Sequence, residues 1–112
     1  MKLVIDRIKW LRGEGSFESK LLRSRDKKMC CIGILCSALG VRDEIMKDQA
    51  GSQRLGITTL PDWLLENPSP TTDPDLFEAY RVNDDPIMDE KSREQFITGI
   101  FAKHDIQVEF IN

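Results

Sequence analysis

The chain has 112 residues, 40% apolar and 31% charged, an ordinary balance for a soluble globular domain with one core. A net charge of −3 and a pI near 5.2 exclude the basic domain of a general nucleic-acid binder, and the acidic surface is too sparse for a nucleic-acid mimic. The opening MKLVIDRIKW, interrupted by Asp6 and Arg7, lacks the apolar run of a signal peptide, so the three cysteines are expected to be reduced thiols in a cytosol. Their odd number also argues against a closed disulfide set.

In chain order, residues 2–12 read as a short amphipathic helix with Leu3, Val4, Ile8 and Leu11 on one face and Trp10 at its edge. Gly13 and Gly15 stop it, and Phe17, in the polar loop that follows, is expected to fold back on the core. Residues 19–24 suit a short strand, followed by a charged turn, RDKK. A hairpin between residues 21–23 and the start of the next helix would set Arg23 and Arg25 at its rim.

The stretch MCCIGILCSALGV, residues 29–41, is apolar nearly all round and predicts a helix covered from more than one direction. It is too short to span a bilayer, which needs about 20 residues. Gly33 and Ser37 form a notch where another backbone can approach, and Gly40 is placed for a left-handed cap. Residues 41–47 read as one or two helical turns, 48–54 as a loop, and 57–60 as a short extended segment. A single helical turn over 62–66 offers Trp63 and Leu64 to the core, and the proline-rich residues 67–74 form a loop too short for a domain linker.

Residues 75–82 suit a short helix, and Asn83-Asp84-Asp85-Pro86 a turn. Residues 89–103 predict a second well-marked helix, with Asp89 as N-cap and Phe96, Ile97, Ile100 and Phe101 buried. Residues 106–111 alternate as a strand, whose partner is expected in 21–23 or 57–60. These elements imply an α+β fold: one domain over 1–112, a central buried helix and a C-terminal helix on a sheet of two to four short strands.

Cys30, Cys31 and Cys36 do not have the paired spacing of a zinc site, so core filling is the default. A reactive thiol is the alternative, because Cys30 stands at a helix N-terminus beside Lys27 and Lys28. A Cys–His pair would need His104, the one histidine, which is better placed near the last carbonyls of its helix. The acidic run Asn83, Asp84, Asp85, Asp89 and Glu90 lacks the spacing of a Ca²⁺ loop, and turn and capping roles explain it. No catalytic residue, metal ligand or cofactor is assigned.

Charge is uneven. Residues 1–55 carry twelve Lys/Arg against seven Asp/Glu, a net of +5, and residues 56–112 carry four against twelve, a net of −8. Two halves that attract each other explain this, and so does a basic face that receives an anion. On the second reading Arg12 and Arg23 take phosphates, with Arg25 in the same ligand-binding set, Trp10 stacks on a base, and Asn83 and Asp84 read polar edges.

The matching residues Trp10-Leu11-Arg12-Gly13, Cys30-Cys31-Ile32-Gly33-Ile34-Leu35-Cys36, Leu60-Pro61 with Trp63, and Asn83-Asp84 with Phe96 and Ile100 follow a recognisable order. That order resembles a family of small, mostly uncharacterised proteins of tailed bacteriophages. Ser37 stands where the family has Asp. The resemblance implies a phage origin, the host cytoplasm as location, and by analogy a role against bacterial defence. The expected function is therefore non-enzymatic: sequestration of an anionic nucleotide signal, with capping of a host defence protein or a cysteine-dependent activity as alternatives. A membrane is not expected as partner, and self-association is left open.

Overall fold

The computed structural model describes residues 1–71 and 74–112. The elements are β1 (Lys2–Asp6), α1 (Cys31–Ala38), α2 (Asp43–Met46), α3 (Pro74–Asp84), α4 (Glu90–Ala102) and β2 (Gln107–Ile111), with 3₁₀ turns at Ser52–Arg54 and Asp62–Leu64. Among the described residues this is an α+β arrangement of four helices and one two-stranded parallel sheet. The loop expected over 67–74 includes residues 72 and 73, which lie outside the described residues. Among the described residues no helix is long and apolar enough to cross a membrane.

The N-terminal segment is a strand, not the expected helix. Leu3 and Ile5 are buried while Val4 between them is 45% exposed, which is a period of two. Its partner is β2, in parallel register from Lys2↔Gln107 to Asp6↔Ile111. Bonds from Gln107 N to Met1 O (2.8 Å) and from Arg7 N to Ile111 O (2.9 Å) close the two ends of the ladder. The segments expected to pair with β2 do not. Leu22 makes only an isolated bridge to Lys47, and residues 57–60 form no strand. A parallel pair requires a crossover, and here nearly the whole chain is that crossover.

The central helix is shorter than expected but built as its sequence suggests. Cys30 is the N-cap, its Sγ accepting a bond from Gly33 N at 3.4 Å. Leu39 N and Val41 N both reach Cys36 O, and Gly40 takes φ +95° to let the chain turn. The notch at Gly33 is filled by the carbonyl of Leu21, so close that any Cβ there would overlap it. Cys31, Ile32, Leu35 and Cys36 are all fully buried.

α4 starts at Asp89, whose Oδ1 accepts from Ser92 N at 2.8 Å. Its buried stripe is Arg93, Ile97, Ile100 and Phe101, spaced i, i+4, i+7, i+8. Phe96, expected in that stripe, is 53% exposed, because the stripe set by Arg93, Ile97, Ile100 and Phe101 runs past it. Phe17 is exposed too and does not fold back. α1 packs on β1 and α3, α3 on α4, and α4 on β2, around one cluster of buried side chains.

Candidate functional site

The end of α3 organises everything near the candidate residues. Asn83 is fully buried, and its Oδ1 accepts from Trp10 Nε1 at 2.8 Å and from Cys31 N at 3.0 Å. Its Nδ2 donates to Leu11 O and to Asp84 Oδ1, each at 3.0 Å. The buried guanidinium of Arg93 covers the terminal carbonyls of the same helix, donating to Val82 O at 2.7 Å and Asn83 O at 3.0 Å, and reaches Met88 O at 2.9 Å. Residues that lie in separate sequence motifs, Trp10, Cys31 and Asn83, thus meet at one interior point.

That convergence places two of the candidate residues, Trp10 and Asn83, inside the fold. Trp10 is 1% exposed, with its ring tilted against Phe110 and the Arg12 guanidinium 4.5 Å from its centroid. It offers no open face to a base. Asn83 spends both ends of its carboxamide on internal bonds.

The arginines are likewise occupied. Arg12 bonds Glu90 at 2.7 Å and donates to the carbonyls of Arg7 and Trp10. Arg23 is buried among Glu14 (3.0 Å), Glu18 (3.4 Å) and Asp26 (2.6 Å). Its hydrogen bond holds the Asp26 carboxyl down to about 2 and also lowers Glu14. Arg25 is exposed but pairs with Glu18 at 3.4 Å. The expected phosphate-binding cluster is therefore a set of cations already matched by carboxylates. Pairs between the two halves of the chain, Lys2–Glu109, Arg7–Glu94 and Arg12–Glu90, account for part of the charge asymmetry.

The thiols are interior. Burial pushes Cys30 and Cys36 up to about 12, and Cys31 well above the usual thiol range. Cys30 does sit at a helix N-terminus, but desolvation outweighs the bond from Gly33 that favours its thiolate. His104 has another role: its Nε2 lies 2.8 Å from Asp75 Oδ2 and its ring stacks on Trp63 at 4.0 Å. The acidic run serves local geometry, Asp89 as a cap and Asp85 accepting from Ile87 N at 2.9 Å. Among the described residues no group of three or more His, Cys, Asp or Glu is placed to hold a metal.

A cleft of about 550 Å³ opens beside this hub. Gly15 and Ser16 form one wall, and Phe77, Tyr80, Arg81 and Asp84 of α3 the other. Pro68, Asp85 and Pro86 close it. Phe17 and Ile87, which follow directly on the lining residues Ser16 and Pro86 in the chain, are 88% and 90% exposed. The Tyr80 hydroxyl accepts from Ser52 N at 2.9 Å, and burial raises its pKa. Burial likewise raises the Asp84 carboxyl, against weaker lowering by its bonds to Asn83 and Ser19. Of the six candidate residues only Asp84 lines this cleft. Phe17 was expected in the core and Ile87 went unassigned in the sequence; a large apolar residue in the polar loop after Gly15 is the signal that could have marked Phe17 as exposed.

Comparison with family models, with curated proteins and with solved structures finds no match to this chain.

Proposed function

We propose that this chain works by binding a protein partner and not by catalysis, as a small phage accessory factor that counters host defence from within the host cytoplasm. The observation that carries the binding reading is the apolar cleft together with the exposed Phe17 and Ile87, each the chain neighbour of a residue that lines it. Exposed large apolar residues grouped around a concavity mark interaction sites in soluble proteins. The assignment to host defence rests on the resemblance to the phage family. The protein-binding form is favoured over nucleotide sequestration because an anion at Arg12 or Arg23 would first have to displace Glu90, or Glu14 and Asp26.

The test is cross-linking in host lysate with the parent, a Phe17→Asp, Ile87→Asp double variant, and a Phe96→Asp control on the outer face of α4. A defined host protein captured by the parent and the control, and lost by the double variant, supports the proposal. Equal capture by all three removes the cleft from the interface. Calorimetry against mono- and cyclic nucleotides tests the other form: binding in the micromolar range, abolished by an Arg12→Ala, Arg23→Ala double substitution, would restore nucleotide sequestration.

A further inference from the structure

The cleft beside α3 has a charge character that its apolar walls conceal. Asp84 lines it, half-buried, and its hydrogen-bond donors are the neutral groups of Asn83 and Ser19. Among the described residues no Lys, Arg or His forms an ion pair with it. Arg93, whose charge does reach it, is spent on Glu90 and on three backbone carbonyls. Asp85, the next residue, also lines the cleft; it forms no ion pair among the described residues, and the cation whose charge it reaches is Arg81. Arg81 is the one cation in the walls, and Glu78 grips it through contacts of 2.6 to 3.1 Å. The cleft therefore presents the Asp84 carboxyl, held in no ion pair among the described residues, inside apolar surroundings.

An unpaired carboxylate out of water costs stability in the free protein, and a cation brought to it recovers that cost. A long basic side chain suits the rest of the site. Its methylene stem packs on apolar walls such as Phe77, Pro68 and Pro86, and its head reaches the carboxylate. The rings of Phe77 and Tyr80 add an attractive surface for a guanidinium. Phe17 and Ile87 then cover apolar residues to either side.

We propose that the cleft receives a Lys or Arg side chain of a partner segment whose flanking residues are apolar, with the Asp84 carboxylate as its counter-ion. This rests on the reading of the cleft as a protein-binding surface and specifies what that surface takes. Binding of a cation favours the ionised carboxyl, so affinity falls as pH is lowered through the Asp84 pKa.

Three acetylated, amidated pentapeptides of the form Phe-Leu-X-Leu-Phe, with X as Arg, Gln or Glu, provide the probes. Amide shift titrations by NMR give the affinity and the place of binding. The Arg peptide is expected to shift Gly15, Asp84 and Ile87 and to bind at least tenfold more tightly than the Gln peptide, with the Glu peptide weakest. Asp84→Asn, which keeps the shape and an acceptor oxygen, is expected to reduce that preference to within twofold. If Asp84→Asn loses the native spectrum, the parent decides: its affinity for the Arg peptide must fall with the Asp84 carboxyl titration, and a flat profile overturns the proposal. Equal affinity for all three peptides refutes the counter-ion and leaves the protein-binding surface standing. Loss of the Arg preference in Asp85→Asn but not in Asp84→Asn refutes the assignment to Asp84. No shift at the cleft from any peptide refutes both readings.

Discussion

Replacing Asn83 by Ala is expected to be the most damaging single truncation of a polar side chain in this fold. The side chain is fully buried and satisfies Trp10 Nε1, Cys31 N and Leu11 O, none of which has water beside it as an alternative partner, since Trp10, Leu11 and Cys31 are each at most 1% exposed. An orphaned buried donor or acceptor costs about 1–3 kcal/mol, so three give roughly 3–9 kcal/mol. A water admitted to the vacated space would restore part of this and bring the loss to about 3–5 kcal/mol. A chain of this length has about 6–17 kcal/mol to lose at ~0.05–0.15 kcal/mol per residue. Urea unfolding followed by far-UV circular dichroism is the assay, because it does not depend on the Trp10 signal. With a slope near 1.5 kcal/mol per M, a loss of about 4 kcal/mol lowers the midpoint by about 2.5 M. Trp10→Phe removes one of the two donors to Asn83 Oδ1, and a double-mutant cycle with Asn83→Ala should show a coupling of about 1–3 kcal/mol. A loss below about 1 kcal/mol in Asn83→Ala, or a coupling near zero, would refute the hub.

Gly33→Ala should cost about 3 kcal/mol or prevent folding, because its Cβ would overlap the Leu21 carbonyl, whereas Gly99→Ala on the open face of α4 should gain about 0.5–1 kcal/mol; thermal melts of both decide. All three thiols should resist an aromatic disulfide reagent in native buffer and react together on denaturation, and rapid labelling of Cys30 alone would contradict its burial. Acid should weaken the Arg23 cluster. The folded-state pKa values of Glu14 and Asp26 lie below their ordinary 4.5 and 3.8, so their contribution is complete above those values and is lost as pH falls towards about 2. Arg23→Met should therefore flatten the loss of melting temperature across that window, and an unchanged acid slope would show that the cluster contributes nothing.

What the chain determined locally can be read from α1 and α4. Most of their apolar positions, the cap at Asp89 and the left-handed Gly40 depend on residues within one or two turns, so periodicity and capping chemistry were enough to place them, while the notch at Gly33 was legible but its occupant, the Leu21 carbonyl, was not. The alternation of β2 was legible for the same reason. Tertiary structure decided the rest. Residues 2–6 fit both a helical face and a period of two, and only β2, about a hundred residues away, makes them a strand. Trp10 and the arginines look like ligand contacts as long as their surroundings are unknown. Asn83 takes the indole N–H into the interior, and Glu14, Asp26 and Glu90 neutralise the guanidinium groups. The cleft is a property of folding too, because Ser16, Phe77 and Asp84 come together only after α3 has docked against the loop that carries Gly15. A buried bond or ion pair has the same sequence signature as an exposed one, and its partner, not its residue type, determines whether it holds the fold or meets a ligand.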